Sequence, residues 1–190
     1  MTDAPFQLLP DLLTAMELAA VRLGLADAEA NASTVSGLAD RPVVSQARRS
    51  ARLTAPAGIE ALLRERLLAT RPALETLFDR PLGDLEPLQI LRYGPGDYFV
   101  AHQDGNTALL FDDTLHRRVS LSLLLSDPAD WTGGRLVFHG PGAQRQVAET
   151  PAGGAIAFRA ETTHEVTMLE TGERLSVAAW FRAAAARPPA

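Results

Sequence analysis

The rhythm of apolar and polar positions changes near Leu88. Before it, Leu12, Leu13, Met16, Ala19 and Ala20 recur at three- and four-residue steps, which predicts an amphipathic helix. A second helical stretch covers 58–78 on Leu62, Leu63, Leu67, Leu68, Leu74 and Leu77. Pro72 lies inside it and, lacking an N–H, is expected to kink or divide it. Between the two, 31–56 is rich in Ser, Ala, Arg and Pro and has no period. It reads as a loop with one short strand around Val43 and Val44.

Beyond Leu88 the chain breaks into short apolar runs separated by Gly, Pro and Asp, the texture of an all-β barrel or jelly roll. The strands expected are 88–93, 98–103, 118–125, 135–139, 144–149, 155–159, 164–169 and 174–182. The breakers between them include Gly94-Pro95-Gly96-Asp97, Gly133-Gly134, Gly140-Pro141-Gly142 and Gly153-Gly154. This divides a single domain of 190 residues into a helical N-terminal support region, 1–87, a β-rich core, 88–182, and a frayed tail, 183–190.

Composition narrows the chemistry. With no Cys, there is no disulfide framework, thiolate zinc site, iron–sulfur cluster or thiol nucleophile. All 18 Lys+Arg residues are arginines, so lysine Schiff-base chemistry is excluded and any fixed cation at a ligand site is Arg. The net charge of −5 argues against nucleic acid as a partner. No run approaches the roughly 20 apolar residues of a membrane span, and the first residues carry no basic n-region, so a cytoplasmic location is expected.

Any metal must therefore be held by His, Asp or Glu. His102 and Asp104 stand two positions apart, which on a strand turns both side chains to one face. His164 opens a later strand that an antiparallel barrel can bring alongside. Two imidazoles and a carboxylate on one face form the facial triad of non-haem Fe(II) oxygenases. His116, in a polar stretch, and His139, before a turn, are not assigned to metal.

The segment 88–182 resembles the catalytic core of the Fe(II)- and 2-oxoglutarate-dependent dioxygenases, in particular the prolyl 4-hydroxylase-like branch. The resemblance rests on Leu91-Arg92-Tyr93-Gly94-Pro95-Gly96-Asp97-Tyr98-Phe99 leading into His102-x-Asp104. It continues through Arg118-Val119-Ser120-Leu121-Ser122 and Trp131-Thr132-Gly133-Gly134-Arg135-Leu136. Phe158-Arg159-Ala160, then His164-Glu165-Val166, and the run 172–181 complete it. It implies an α+β, mainly β fold: a double-stranded β-helix (jelly-roll) core with the N-terminal helices packed on one sheet. It also implies His102, Asp104 and His164 as Fe(II) ligands, and 2-oxoglutarate as co-substrate, with ascorbate as a further candidate. The reaction implied is hydroxylation of an unactivated C–H bond, on a prolyl or related amino-acid side chain, with release of succinate and CO2.

Arg174 follows His164 by ten positions, the place of the family's basic partner for the distal carboxylate of 2-oxoglutarate; the competing reading is a surface arginine. Tyr93 is a candidate co-substrate contact or a packed core aromatic. Ser122, Leu124, Val166, Ala178 and Trp180 share the ligands' face parity and would wall the pocket or simply fill the core. Leu124 stands where several prolyl hydroxylases place a tyrosine, so another donor, Tyr93 or Ser122, would have to serve. The partners expected are a protein, peptide or small-molecule substrate and, in one reading, a second copy in a homodimer. The rivals are the same chemistry on a free amino acid or metabolite, a zinc hydrolase, and a cupin-like binding module without turnover.

Overall fold

A computed structural model describes residues 5–33, 35–36, 42–43, 47–107 and 112–185. The N-terminal half contributes β1 (Phe6–Leu9), α1 (Ala15–Leu25), β2 (Ala30–Ala32), β3 (Val35–Ser36), β4 (Pro42–Val43), β5 (Arg48–Arg49), β6 (Ala51–Leu53), α2 (Ala57–Ala69), α3 (Arg71–Phe78) and β7 (Leu82–Leu85). The remainder is β8 (Gln89–Tyr93), β9 (Tyr98–His102), β10 (Arg117–Leu124), β11 (Thr132–Gly133), β12 (Leu136–His139), β13 (Arg145–Ala148), β14 (Ala155–Arg159), β15 (His164–Val166), β16 (Leu169–Thr171) and β17 (Arg174–Ala183).

A major sheet runs β1-β14-β10-β17-β8-β6-β2, with β7 also paired to β17, and a minor sheet runs β13-β12-β15-β9-β5. All their pairings are antiparallel. The two-residue period of β10, β14 and β17 sorts their side chains between two cores. Val119, Leu121, Leu123, Ala155, Ala157, Val177, Ala179 and Phe181 pack with Val21, Leu25, Leu63, Leu67, Leu74 and Phe78 of the helices. The alternate positions Ile156 and Phe158 join Leu91, Tyr93, Leu136, Phe138 and Val166 between the sheets. This is the expected jelly roll with helices on one sheet. The helical layer buries one face, which leaves the other free to carry polar groups.

Three features differ from the sequence reading. Residues 1–87 are not helical alone: β1 caps one edge of the major sheet, β2 and β6 extend the other, and β5 joins the minor sheet. The stretch 31–56 therefore holds more than the one expected strand, which appears as β4 while Val44 lies outside the described residues. Ala183 ends β17 opposite Leu82, and 186–190 lie outside the described residues. Pro72 divides the second helix as expected. The break comes at Thr70, whose hydroxyl donates to the Leu67 carbonyl. No helix among the described residues is long and apolar enough to cross a membrane.

A charged clasp fastens the helical layer. Thr14 caps α1 in a reciprocal box with Glu17. The Glu17 carboxylate also accepts from Arg66 Nη2 at 2.6 Å and Nε at 2.8 Å, tying α1 to α2. The Arg66 hydrogen bond, with help from Thr14, lowers the Glu17 pKa from 4.5 to about 2. A depressed carboxylate pKa contributes stability that is fully present above the unfolded value and disappears as pH falls through the folded one. Glu17→Gln keeps a side chain that can complete the capping box but removes the charge. Its melting temperature is expected to lie below the parent's above pH 4.5, with the gap closing between pH 4.5 and 2; a gap independent of pH in thermal melts would contradict this clasp.

Candidate active site

Strands β9 and β15 lie side by side in the minor sheet with His164 directly opposite His102. Their ring centroids are 4.3 Å apart. Asp104 leaves the end of β9, its N–H bonded to the Ala160 carbonyl at 2.9 Å, so the chain turns back toward His164. His102 Nε2 lies 3.4 Å from Asp104 Oδ1, and His164 Nε2 lies 3.6 Å from Asp104 Oδ2. One ligand atom from each of the three residues falls within 4.8 Å of the others.

The backbone sets the imidazole tautomers. His102 Nδ1 is 2.8 Å from the Val100 carbonyl and His164 Nδ1 is 2.9 Å from the Thr162 carbonyl. A carbonyl only accepts, so each Nδ1 carries hydrogen and each neutral ring turns the lone pair of Nε2 toward Asp104. Burial drives the His164 pKa down to about 4, against the pull of Asp104, so the ring is neutral at pH 7. Burial alone would raise the Asp104 carboxyl. In the acid range where a carboxyl titrates, the protonated His164 ring, then His102 and the Arg117 guanidinium, outweigh it and hold the group well below the usual carboxylate range. Neutral imidazoles and an ionised carboxylate are the protonation states a divalent metal requires.

The surroundings are apolar on one side and braced on the other. Phe99 stacks on His102 at 3.6 Å, and Phe158 meets His164 edge-on at 4.6 Å. Arg117 donates to the Asp104 carbonyl at 3.3 Å, pairs with Glu86 at 2.8 Å and covers the Trp180 ring at 3.9 Å. A Cβ at Gly105 would collide with the Thr114 carbonyl oxygen and the Arg117 side chain, so only glycine lets the chain pass this close behind the ligands.

Arg174 begins β17 opposite Tyr93 and is 4% exposed, not a surface arginine. Its Nη1 donates to Ser176 Oγ at 3.0 Å, its Nε has no partner, and no carboxylate pairs with it among the described residues. Tyr93 and Trp131 hold their rings 5.5 and 5.8 Å from the guanidinium carbon. Burial lowers the Arg174 pKa, yet a guanidinium remains charged. A buried, unpaired cation calls for an anion. It lies on the wall of a cavity of about 450 Å³, lined on its inner side also by Ser122, Leu124, Trp131, Leu136 and Ala148.

The sequence-derived residues therefore fall into two groups. His102, Asp104 and His164 converge, while Arg174 and Ser122 line the cavity and Tyr93, buried beside Arg174, is not on its wall. Trp180 belongs with the first group rather than the cavity, because β17 carries it six residues beyond Arg174, under Arg117. His116 is exposed on a short 3-10 helix (Asp113–His116) whose cap is Asp112. His139 faces outward beside Glu165, which also pairs with Arg145. Ser176 and Trp131 were missed as neighbours of Arg174, although Ser176 is two positions on and shares its face. Arg48 also escaped notice. It is 7% exposed, lies 4.9 Å above the Phe99 ring and donates to Gln89, but sits in a stretch without any period.

Similar proteins agree with this geometry. A PKHD-type hydroxylase of Sphingopyxis alaskensis is 38% identical over 91 residues, 48% of this chain and 41% of that protein. The chain thus matches about two fifths of that relative's length. Among solved structures, a Pseudomonas putida prolyl-4-hydroxylase superposes with a TM-score of 0.70 at 25% identity, covering 95% of this chain and 94% of that one. The non-heme alpha ketoglutarate dependent epimerase SnoN from nogalamycin biosynthesis shares the fold, with a TM-score of 0.65 at 22% identity over 94% and 78% of the two chains. Residues 88–182, half of the chain, match the profile of the 2OG-Fe(II) oxygenase superfamily, and the chain belongs to that family.

Proposed function

We propose that this chain is an Fe(II)- and 2-oxoglutarate-dependent hydroxylase of a prolyl or related amino-acid side chain. The observation that carries the reading is the pairing of two separate devices within one jelly roll. One is a triad whose Nε2 and carboxylate atoms converge. The other is a buried guanidinium with no carboxylate of its own among the described residues. A metal hydrolase needs the first device and has no use for the second. A dicarboxylate co-substrate that also chelates the metal needs both. Residues 88–182 would carry the reaction, and 1–87 would support it.

In this reading His102, Asp104 and His164 hold the iron through the two Nε2 atoms and the carboxylate. The bound metal and co-substrate supply the oxidising chemistry, in which O2 gives one oxygen atom to the substrate C–H bond and the other to succinate as CO2 leaves. The protein's part is geometric and electrostatic. The Val100 and Thr162 carbonyls fix the imidazole tautomers. Arg117, anchored on Glu86, steadies the chain at Asp104. Phe99 and Phe158 keep water from the imidazole faces. Arg174, steadied by Ser176, pairs with the distal carboxylate and so orients the keto acid end toward the triad.

The peptide assignment rests on the likeness to PKHD-type and prolyl-4-hydroxylases. The fold alone does not select a peptide, since SnoN shares it and belongs to nogalamycin biosynthesis. Succinate release measured across proline-containing peptides, free amino acids and small metabolites separates these substrates, and absence of succinate from every mixture would leave a cupin-like binding module.

Two substitutions test the devices separately. Asp104→Ala is expected to abolish the visible charge-transfer band formed by anaerobic Fe(II) with 2-oxoglutarate, and with it succinate formation. Persistence of the band in a folded variant would refute the metal assignment. Arg174→Met replaces a buried unpaired charge with a hydrocarbon, so the ligand-free variant is expected to melt at a higher temperature than the parent. The same variant should lose about 2–4 kcal/mol of 2-oxoglutarate affinity, the cost of removing one partner of a buried charged hydrogen bond. Unchanged affinity by calorimetry would remove Arg174 from the site.

A further inference from the structure

Strict alternation would send Phe99 and His102, three positions apart on β9, to opposite faces of the minor sheet. They stack instead, with ring centroids 3.6 Å apart and planes 18° from parallel. The register accounts for it. His164 stands opposite His102 and Val166 opposite Phe99, so three steps on β9 match two on β15. One extra residue on β9 is a β-bulge, which re-aims a side chain. On the other side of β9, the edge strand β5 props the bulge. The Val100 N–H donates to the Ala47 carbonyl at 2.9 Å, and Arg48 stands opposite Phe99.

Arg48 closes over that ring. Its guanidinium carbon is 4.9 Å from the Phe99 centroid, so the ring is held between a cation and His102. The guanidinium is itself anchored across both sheets. Nη1 donates to Gln89 Oε1 on β8 of the major sheet at 3.2 Å, and Nε donates to Ser50 Oγ at 3.2 Å. No carboxylate pairs with Arg48 among the described residues, although it is only 7% exposed. A hydrocarbon would fill such a place at lower cost to the fold, so packing alone does not account for the charge.

We infer that Arg48 is a positioning residue for His102, holding the imidazole in its ligating orientation by clamping Phe99 against it. The Val100 carbonyl sets which ring nitrogen faces Asp104, and the clamp sets the plane of the ring. The inference rests on the reading that His102, Asp104 and His164 hold a metal ion.

Co(II) added to the full chain without co-substrate is the probe, since its visible d–d absorption reports affinity and ligand geometry together; circular dichroism checks that each variant folds. Arg48→Met keeps the stem and removes the guanidinium. It is expected to weaken Co(II) binding by about tenfold, as loss of support behind a metal-ligating histidine does, and to shift the band. Phe99→Leu is expected to cost about the same. The double variant should lose no more than Phe99→Leu alone, because Arg48 acts on His102 only through the ring. Gln89→Leu cuts one anchoring hydrogen bond, for an expected loss of about threefold, and takes the place of Arg48→Met in the cycle if that variant does not fold. Losses that multiply to about a hundredfold in the double variant overturn the clamp. So does a folded Arg48→Met or Gln89→Leu chain with unchanged Co(II) affinity and band, and either result leaves the triad as the metal site. Absence of a Co(II) band in the parent chain overturns the metal reading and the clamp with it.

Discussion

The site depends on one strand pairing. Because β15 runs antiparallel to β9 with His164 against His102, residues separated by 62 positions present their imidazoles to a common point. A slip of one residue would turn one ring to the outer face, where Glu165 now meets Arg145 and His139. Pairing alone would still leave each ring free to choose its tautomer. The two carbonyl contacts, both made by the residue two positions earlier in the chain, remove that freedom. Asp104 then completes the set because the chain is held by the Ala160 carbonyl on one side and Arg117 on the other.

Such a site is costly to the fold that holds it. Asp104 and Arg174 are charged and almost fully enclosed, and Arg174 has only a hydroxyl for a partner among the described residues. The stability that offsets them comes from the opposite face of the same strands. Val177, Ala179 and Phe181 alternate with Arg174, Ser176, Ala178 and Trp180 along β17, and each of the first three is fully enclosed beneath the helices. Burying a large aliphatic or aromatic side chain contributes about 1.5–3 kcal/mol, so a helix-backed sheet can tolerate a few uncompensated polar groups on its other face. The helices thus act on function through energy rather than contact.

How much of this can be read from the sequence follows from where the period is strong. Strands β8, β10, β12, β13, β14 and β17 have Gly, Pro or Asp breakers nearby and carry an apolar face, so their existence and parity are visible; β15 follows only the polar Glu161-Thr162-Thr163 turn, and the run 164–169 is split into β15 and β16. The N-terminal edge strands are not visible. Arg48–Arg49 and Ala51–Leu53 pair through their backbone with β9 and β8, but their side chains show no alternation that would mark them. Phe6–Leu9 is four residues long and finds its sheet only through β14, a partner some 150 positions away that no local pattern can reveal. The cluster of His102, Asp104 and His164 was legible because histidine is scarce in this chain and the His-x-Asp spacing fits one face. Ser176 was not, since a serine on a buried face is ordinary until Arg174 is seen to donate to it. Trp180 shows the limit of parity: it faces the right way but lies at the wrong end of its strand.

That last point bears on how the site is laid out. From Arg174 to Trp180 is six residues of strand, about 20 Å at 3.3 Å per residue. At one end Trp180 lies under Arg117, whose other contacts are Asp104 and Glu86; at the other, Arg174 shares a cavity wall with Ser122, Leu124 and Trp131. The His102–Asp104–His164 cluster and the buried guanidinium are therefore supported by different stretches of the same strand and by different neighbours. A substitution at Leu124, on the cavity wall, alters the space around the guanidinium, whose neighbours are not those of the His102 and His164 rings. Separate support of this kind lets one fold keep the triad fixed while the shape of the cavity varies.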